Sequence, residues 1–263
     1  MSIRISNLKD GNATRINNFL SQYVISEDNP NGLFAAVTTA SETVSGSTVS
    51  VTTATIYTDP EDHTSATVPF FKIAQLDGTN GVYVCGFYGS SNTASYAIYQ
   101  LSYGGSGAPY GSTAVNKIKY AYGCDNGFLI NIFLGNYGET NYECTVMVTR
   151  GNDGYPYLIM PTTTLYCCYP AYQNTMSINA FHYPDASYIT YNLTARDCGQ
   201  AVLCPFSGYG NSAEAASYAP YGFWIPEGPV GLRNAGFCVM GHLGETYITN
   251  GFWAIKDGGE TDD

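Results

Sequence analysis

Residues 48–58 read Thr-Val-Ser-Val-Thr-Thr-Ala-Thr-Ile-Tyr-Thr, and this stretch decides the fold class. Val49, Val51, Thr53, Thr55 and Tyr57 recur at every second position, so an extended chain sets them on one face. A helix would scatter the same residues around its axis. β-Branched and aromatic side chains also pack well on a pleated surface.

The same period of two extends downstream. Cys144, Val146 and Val148 alternate with Glu143, Thr145, Met147 and Thr149. Residues 116–122 set Ile118, Tyr120 and Tyr122 against Lys117 and Lys119, which suits a half-exposed or edge strand whose lysines discourage further pairing. Residues 128–134, Phe-Leu-Ile-Asn-Ile-Phe-Leu, are apolar on both faces and predict a central strand. Upstream the period changes. Ala13, Ile16, Leu20 and Val24, joined by Phe19 and Tyr23, recur at steps of three and four and predict a helix over 10–24, with Asn12 as its N-cap. The turn signal Asp28-Asn29-Pro30-Asn31-Gly32 closes that segment.

Asn-Gly or Asp-Gly stands at 10–11, 31–32, 77–78, 80–81, 126–127, 153–154, 250–251 and 257–258. These residues tolerate the positive φ that tight hairpin turns require. The clearest hairpin is at the end, where Tyr247-Ile248-Thr249 leads through Asn250-Gly251 into Phe252-Trp253-Ala254-Ile255. An acidic tail, Asp257 to Asp263, follows and is expected to be solvated. The expected fold is mainly β: an antiparallel, β-sandwich-like arrangement of one or two subdomains with a short N-terminal helix.

Composition narrows the function classes. The chain has 263 residues, of which 44% are apolar, enough for a sizeable core. Only 12% are charged, while Tyr (24) and Gly (29) are abundant, which excludes a helical bundle or coiled coil. A net charge of −11 argues against a general grip on nucleic acid, which needs clustered Lys and Arg. No run of about 18 apolar residues is present to form a membrane-spanning helix, and an acid at Asp10 interrupts the opening before any signal-peptide core. The eight cysteines form no CxxC pair, and His63, His182 and His242 show no zinc-ligand rhythm. Most of the cysteines sit in apolar runs, where a free thiol behaves as a small hydrophobe.

Catalytic signatures are missing. Gly104-Gly105-Ser106-Gly107-Ala108 narrowly fails the GxSxG elbow. His182 and Asp185 flank a Pro turn and are read as satisfying each other or water. Thr58-Asp59-Pro60-Glu61-Asp62-His63 gathers three carboxylates and an imidazole, but lacks the glycine and distant glutamate of a calcium loop, so a solvated acidic turn is expected. No phosphate-cradling loop occurs. No catalytic residue, cofactor or metal is therefore assigned. Motifs such as Phe87-Tyr88-Gly89, Ser102-Tyr103-Gly104, Asn136-Tyr137-Gly138 and Tyr221-Gly222-Phe223-Trp224 place amphipathic rings beside pliant backbone, which suits contact with proteins or sugars.

The opening, Met1-Ser-Ile-Arg-Ile-Ser-Asn-Leu-Lys-Asp-Gly-Asn-Ala-Thr-Arg15, and the ending, Glu245-Thr-Tyr-Ile-Thr-Asn-Gly-Phe-Trp-Ala-Ile-Lys-Asp-Gly-Gly259, resemble structural proteins of tailed-bacteriophage particles, including auxiliary head proteins and head fibres. The resemblance implies a non-enzymatic virion component, made in the host cytoplasm without a signal peptide. It would decorate the head or attach at the tail and form homo-oligomers alongside major capsid or tail proteins. It further implies an N-terminal docking segment over residues 1–30, with Ile3, Ile5 and Leu8 as apolar anchors. The rest divides into a β domain at 31–160, a second β-rich subdomain at 161–256 and the tail at 257–263. Neither nucleic acid nor membrane is an expected partner. A competing reading is a carbohydrate-binding adhesin or receptor-binding module recognising a cell-surface glycan through an exposed aromatic such as Trp224. A third is a polysaccharide or cell-wall hydrolase.

Overall fold

A computed structural model describes residues 3–8, 11–44, 46–76, 81–88, 95–100, 117–137, 140–151, 153–161, 175–182, 189–194, 204–205, 222–224, 238–242, 244–249 and 253–257. Among them the chain forms one helix and seventeen strands in three antiparallel sheets. Strand β1 (Arg4–Asn7) precedes helix α1 (Ala13–Ser21). A meander follows through β2 (Ala36–Val44), β3 (Ser47–Tyr57), β4 (Thr67–Leu76), β5 (Gly81–Tyr88) and β6 (Ser95–Gln100), a five-stranded sheet in chain order. The central sheet has the order β1-β7-β8-β9-β10-β11-β12. Its later strands are β7 (Lys117–Cys124), β8 (Gly127–Tyr137), β9 (Thr140–Arg150), β10 (Pro156–Pro161), β11 (Thr175–His182) and β12 (Ile189–Thr194). The third sheet, in the order β13-β14-β17-β16-β15, uses β13 (Cys204–Pro205), β14 (Gly222–Trp224), β15 (Cys238–His242), β16 (Glu245–Thr249) and β17 (Trp253–Lys256). The mainly β, antiparallel, sandwich-like expectation matches this architecture.

The main core lies between the first two sheets. Ala54, Ile56, Phe70, Phe71, Ile73, Val82 and Val84 from the meander meet Ile118, Ala121, Phe128, Ile130, Ile132, Val146, Val148 and Leu158 from the central sheet. Helix α1 closes the same core with Ile16, Phe19 and Leu20, followed by Tyr23 just past its end. Phe128 sits in the middle of an aromatic cluster, edge-on to Phe19 at 5.5 Å and 4.8 Å from the Tyr23 ring. The opposite face of the central sheet is also buried, through Leu129, Met147 and Ile159. Near it, Cys124 Sγ and Asn126 Nδ2 donate to the Lys256 carbonyl of β17. Burial on both faces explains why residues 128–132 carry no solvent-facing side.

Helix α1 begins where the sequence indicates, because the Asn12 side chain accepts from the Arg15 N–H at 3.0 Å and satisfies one of the free first-turn donors. It ends three residues short of the expected 24, and Val24 instead forms a bridge to Phe34.

Several expectations are corrected. Residues 1–30 do not form a separate segment, because Leu8 and the helix share the core of 31–160. Leu8 is therefore an internal residue with 0% exposure and not a docking anchor. The boundary near 160 falls inside the central sheet, since β10 pairs with β11 from Tyr157–His182 to Pro161–Ile178. In β3 burial crosses from one face to the other: Val49 and Val51 are buried on the first face, then Thr52, Ala54 and Ile56 on the second. The first set packs with Val44, Ala74, Leu76, Tyr83 and Cys85, a smaller cluster on the far side of the meander sheet. Opposite this crossover, β4 carries a bulge in which Phe70 is the extra residue between Pro69 and Phe71. The bulge accommodates Pro69 inside a central strand, where its missing N–H would otherwise break the ladder.

A second bulge reorders 116–122. Ile118 pairs with Ile132 and Tyr120 with Asn131, so Lys119 is the extra residue and Tyr120 leaves the face that Ile118 occupies. The turn expected at Asn126-Gly127 is displaced by one residue: Cys124 pairs with Gly127, leaving Asp125 and Asn126 as the two central residues. Val44 of β2 pairs with Ser47 of β3, and Gly46 just before that pair has a φ of +82° although it belongs to no Asn-Gly or Asp-Gly pair. β16 and β17 pair antiparallel as expected, with Thr249 opposite Ala254; the expected turn at Asn250-Gly251 lies outside the described residues. Asp257, the first residue of the expected solvated tail, is half-buried and its N–H donates to the Thr246 carbonyl.

Candidate functional site

Two surfaces stand out among the described residues. The first is built by β1, which is an edge strand because only β7 pairs with it. The register sets Ile5 opposite Tyr122 and Asn7 opposite Tyr120, so these four side chains share the face turned away from the main core. Tyr122 is buried, while Ile5 is 60% and Tyr120 48% exposed. Ile3, one step before the strand on the same alternation, is 40% exposed. These three are the exposed large hydrophobic residues among those described. The opposite face of β1 is held inward. Arg4 places its guanidinium 4.5 Å from the Tyr23 ring centroid, donates to the Cys124 carbonyl at 3.3 Å and pairs with Asp125 at 3.0 Å. The edge strand thus has one anchored side and one apolar outer side.

The second surface is a cleft of about 280 Å³ where three connections converge: residues 24–34, the β3–β4 loop 58–66 and the β9–β10 turn 151–155. Its polar groups come from Asn31, Glu61, His63 and Arg150, and Tyr57 and Tyr155 add rings. Pro30, Pro60 and Pro156 supply flat apolar patches.

The rim is held from within. Asp59 Oδ1 accepts from the N–H groups of Glu61 and Asp62, and Asp62 Oδ1 accepts from both the N–H and the hydroxyl of Thr64. Those Thr64 donors hold the Asp62 carboxyl below its ordinary range. The Tyr155 hydroxyl donates to the Thr58 carbonyl at 2.7 Å and ties the two loops together. Arg150 Nη2 donates to the Asn31 carbonyl, fastening the third connection. His63 stacks on Tyr57 with centroids 5.3 Å apart and planes 23° from parallel. Its Nε2 lies 3.1 Å from the Pro60 carbonyl, which can only accept, so Nε2 donates there.

The acidic loop 58–63 thus bonds to itself and its neighbour Thr64 through Asp59 Oδ1 and Asp62 Oδ1; among the described residues no group of three His, Cys, Asp or Glu is placed to hold a metal ion. Sequence reasoning saw this loop and the Asp28–Gly32 turn separately but not their meeting. Arg150 and Tyr155 carried no motif, and only the stacking of the two sheets brings them alongside.

Of the sequence-assigned contact residues, Ile3 and Ile5 share the outer face, while Leu8 is internal. Trp224 has its backbone in β14, paired with Cys204 and Trp253; its side chain lies outside the described residues. Residues 104–108, 167–168 and 185 and the tyrosine motifs at 102–104 and 221 also lie outside them. Cys85 and Cys124 are free and buried. Burial pushes the Cys124 thiol up to about 12 and the Cys85 thiol to about 11. Among the described residues no helix is long and apolar enough to cross a membrane. No family model, curated protein or solved structure matches this chain significantly.

Proposed function

We propose that the chain is a non-enzymatic structural component of a tailed-bacteriophage particle, a head decoration or tail-associated protein that works by contact. The observation that carries this reading is the outer face of β1 and β7, where Ile3, Ile5 and Tyr120 are presented together at a sheet edge. An edge strand offers unpaired backbone donors and acceptors, and apolar side chains beside it give a partner area to bury. Behind that face the chain is stiff: two sheets and a helix close over one core, and Arg4 fixes the edge from its inner side. A contact protein needs such a frame, because ordering a loose segment on binding would cost affinity. The resemblance of both chain ends to virion proteins supports the same role.

Mass spectrometry of purified particles, with the native mass of the isolated chain, tests the proposal. The expected result is a stoichiometric particle component that forms a homo-oligomer alone or on the particle. A chain that is monomeric and absent from every particle preparation overturns it.

A further inference from the structure

We infer that the cleft between residues 24–34, 58–66 and 151–155 is a preformed binding site for a saccharide unit, on a surface separate from the β1 edge. Its size, about 280 Å³, lies at the small end of ligand sites and suits one sugar-sized ring better than an extended chain.

The chemistry of the lining selects the class. Glu61 and Arg150 give the lining both signs of charge, which does not suit a polyanion, and among the described residues no group of three His, Cys, Asp or Glu is placed to hold a metal ion. A nucleotide phosphate is further disfavoured by Asp59 and Asp62 on the same loop. What the lining does offer is a mixture: a carboxylate acceptor at Glu61, an amide at Asn31 that can both donate and accept, and an imidazole at His63 with one ring nitrogen engaged by the Pro60 carbonyl. These polar groups lie among Pro30, Pro60, Pro156 and the Tyr57–His63 ring pair. A ligand matching that mixture carries hydroxyls that donate and accept, and C–H faces that cover flat apolar rings. A pyranose has both.

The site is also organised before a ligand arrives. The Asx turns at Asp59 and Asp62, the Tyr155–Thr58 bond and the Arg150–Asn31 bond hold all three connections. Binding then orders little backbone, which matters for a ligand of few atoms. One oxygen of each of Asp59 and Asp62 is engaged within the loop, and Glu61 and His63 are exposed at the opening.

The test is a titration of the full-length chain, isotopically labelled, with methyl glycosides of common hexoses, pentoses and N-acetylhexosamines, followed by NMR. Inorganic phosphate, calcium and a blocked tetrapeptide form the comparison arms. At least one glycoside is expected to shift the amides of residues 59–64 and the His63 ring saturably in the millimolar range. Glu61→Gln and His63→Ala each alter an exposed side chain, so the remaining spectrum should stay that of the parent. Each should weaken that glycoside at least tenfold. The inference is overturned if no glycoside moves those signals or if both variants bind as the parent does. It is equally overturned if phosphate, calcium or the peptide, and no glycoside, saturates the site. Saccharide binding does not require incorporation into a particle, so this result and the particle experiment stand or fall separately.

Discussion

Arg4 and Tyr23 lock the edge strand to the end of the helix: the guanidinium carbon lies 4.5 Å from the ring centroid, while the Tyr23 hydroxyl donates to the Gly127 carbonyl at 3.4 Å. The same guanidinium reaches the Cys124 carbonyl and the Asp125 carboxylate, so one side chain joins β1, α1 and the β7–β8 turn. Burial raises the Tyr23 phenol well above its ordinary value, and the ring stays neutral under the cation. Replacing Arg4 by Ala removes a cation–π contact, a hydrogen bond to a carbonyl and a partly exposed ion pair together. The expected loss is about 1–3 kcal/mol in urea unfolding. Arg4→Lys keeps the charge without the planar fork and should recover only part of it.

Gly127 gives a sharper prediction. Its φ is +153°, and a Cβ there would lie 2.2 Å from the Val148 carbonyl oxygen and 2.8 Å from the Thr149 Cα. Both atoms belong to the backbone of the neighbouring strand, so nothing can move aside without opening the ladder between β8 and β9. Gly127→Ala should cost about 2–3 kcal/mol and lower Tm by several degrees. Gly46→Ala, also at positive φ but with open space around it, should cost less, about 1 kcal/mol.

The two glycines mark the limit of what the sequence makes legible. The period of two, the helix with its Asn12 cap, the doubly apolar strand at 128–132 and the last hairpin are all local signals, and each is found in the structure. The bulges at Lys119 and Phe70 are not local: each depends on what the partner strand places opposite, so the face of Tyr120 could not be read from alternation, nor could the exchange of burial between the two faces of β3. The cleft was less legible still. Its lining is spread over as much as 131 positions in the chain, between Ile25 and Pro156, and no spacing rule links them. Ile3, Ile5 and Leu8 came from the likeness of the chain's opening and not from a strand pattern; in the structure Ile3 and Ile5 are exposed by alternation on an edge strand, whereas Leu8, beyond the strand's end, turns into the core.

The buried thiols predict a pH dependence. Desolvation is the largest influence on both Cys85 and Cys124, raising them from 9.0 to about 11 and about 12. The folded state then keeps protons that the unfolded chain releases. This contribution to stability is complete below pH 9.0 and is lost as pH rises toward 11 and 12. Unfolding midpoints should therefore fall on going from neutral pH into that alkaline window. At about pH 8, where thiolate is the reacting form, an aromatic disulfide reagent followed by peptide mapping should leave Cys85 and Cys124 unlabelled in folded protein and label both in guanidinium. Rapid labelling of either site in the folded chain would contradict its burial.

The outer face of β1 separates assembly from folding. Ile5 is 60% exposed and lies on the face turned away from the main core, opposite Tyr122, so Ile5→Lys should change stability by no more than about 0.5 kcal/mol. A charge introduced into an apolar contact, by contrast, must be desolvated or must hold the partner away. Incorporation into particles, or the oligomer seen in native mass, should drop at least tenfold in Ile5→Lys. Tyr120→Ser should act in the same direction from β7, because the bulge at Lys119 puts Tyr120 on the same face. Leu8→Ala provides the contrast: truncating a fully buried core residue should cost about 2–5 kcal/mol and act on assembly only through lost folding. If Ile5→Lys and Tyr120→Ser assemble like the parent while Leu8→Ala alone fails, the β1 edge is a solvated strand and the contact surface lies elsewhere.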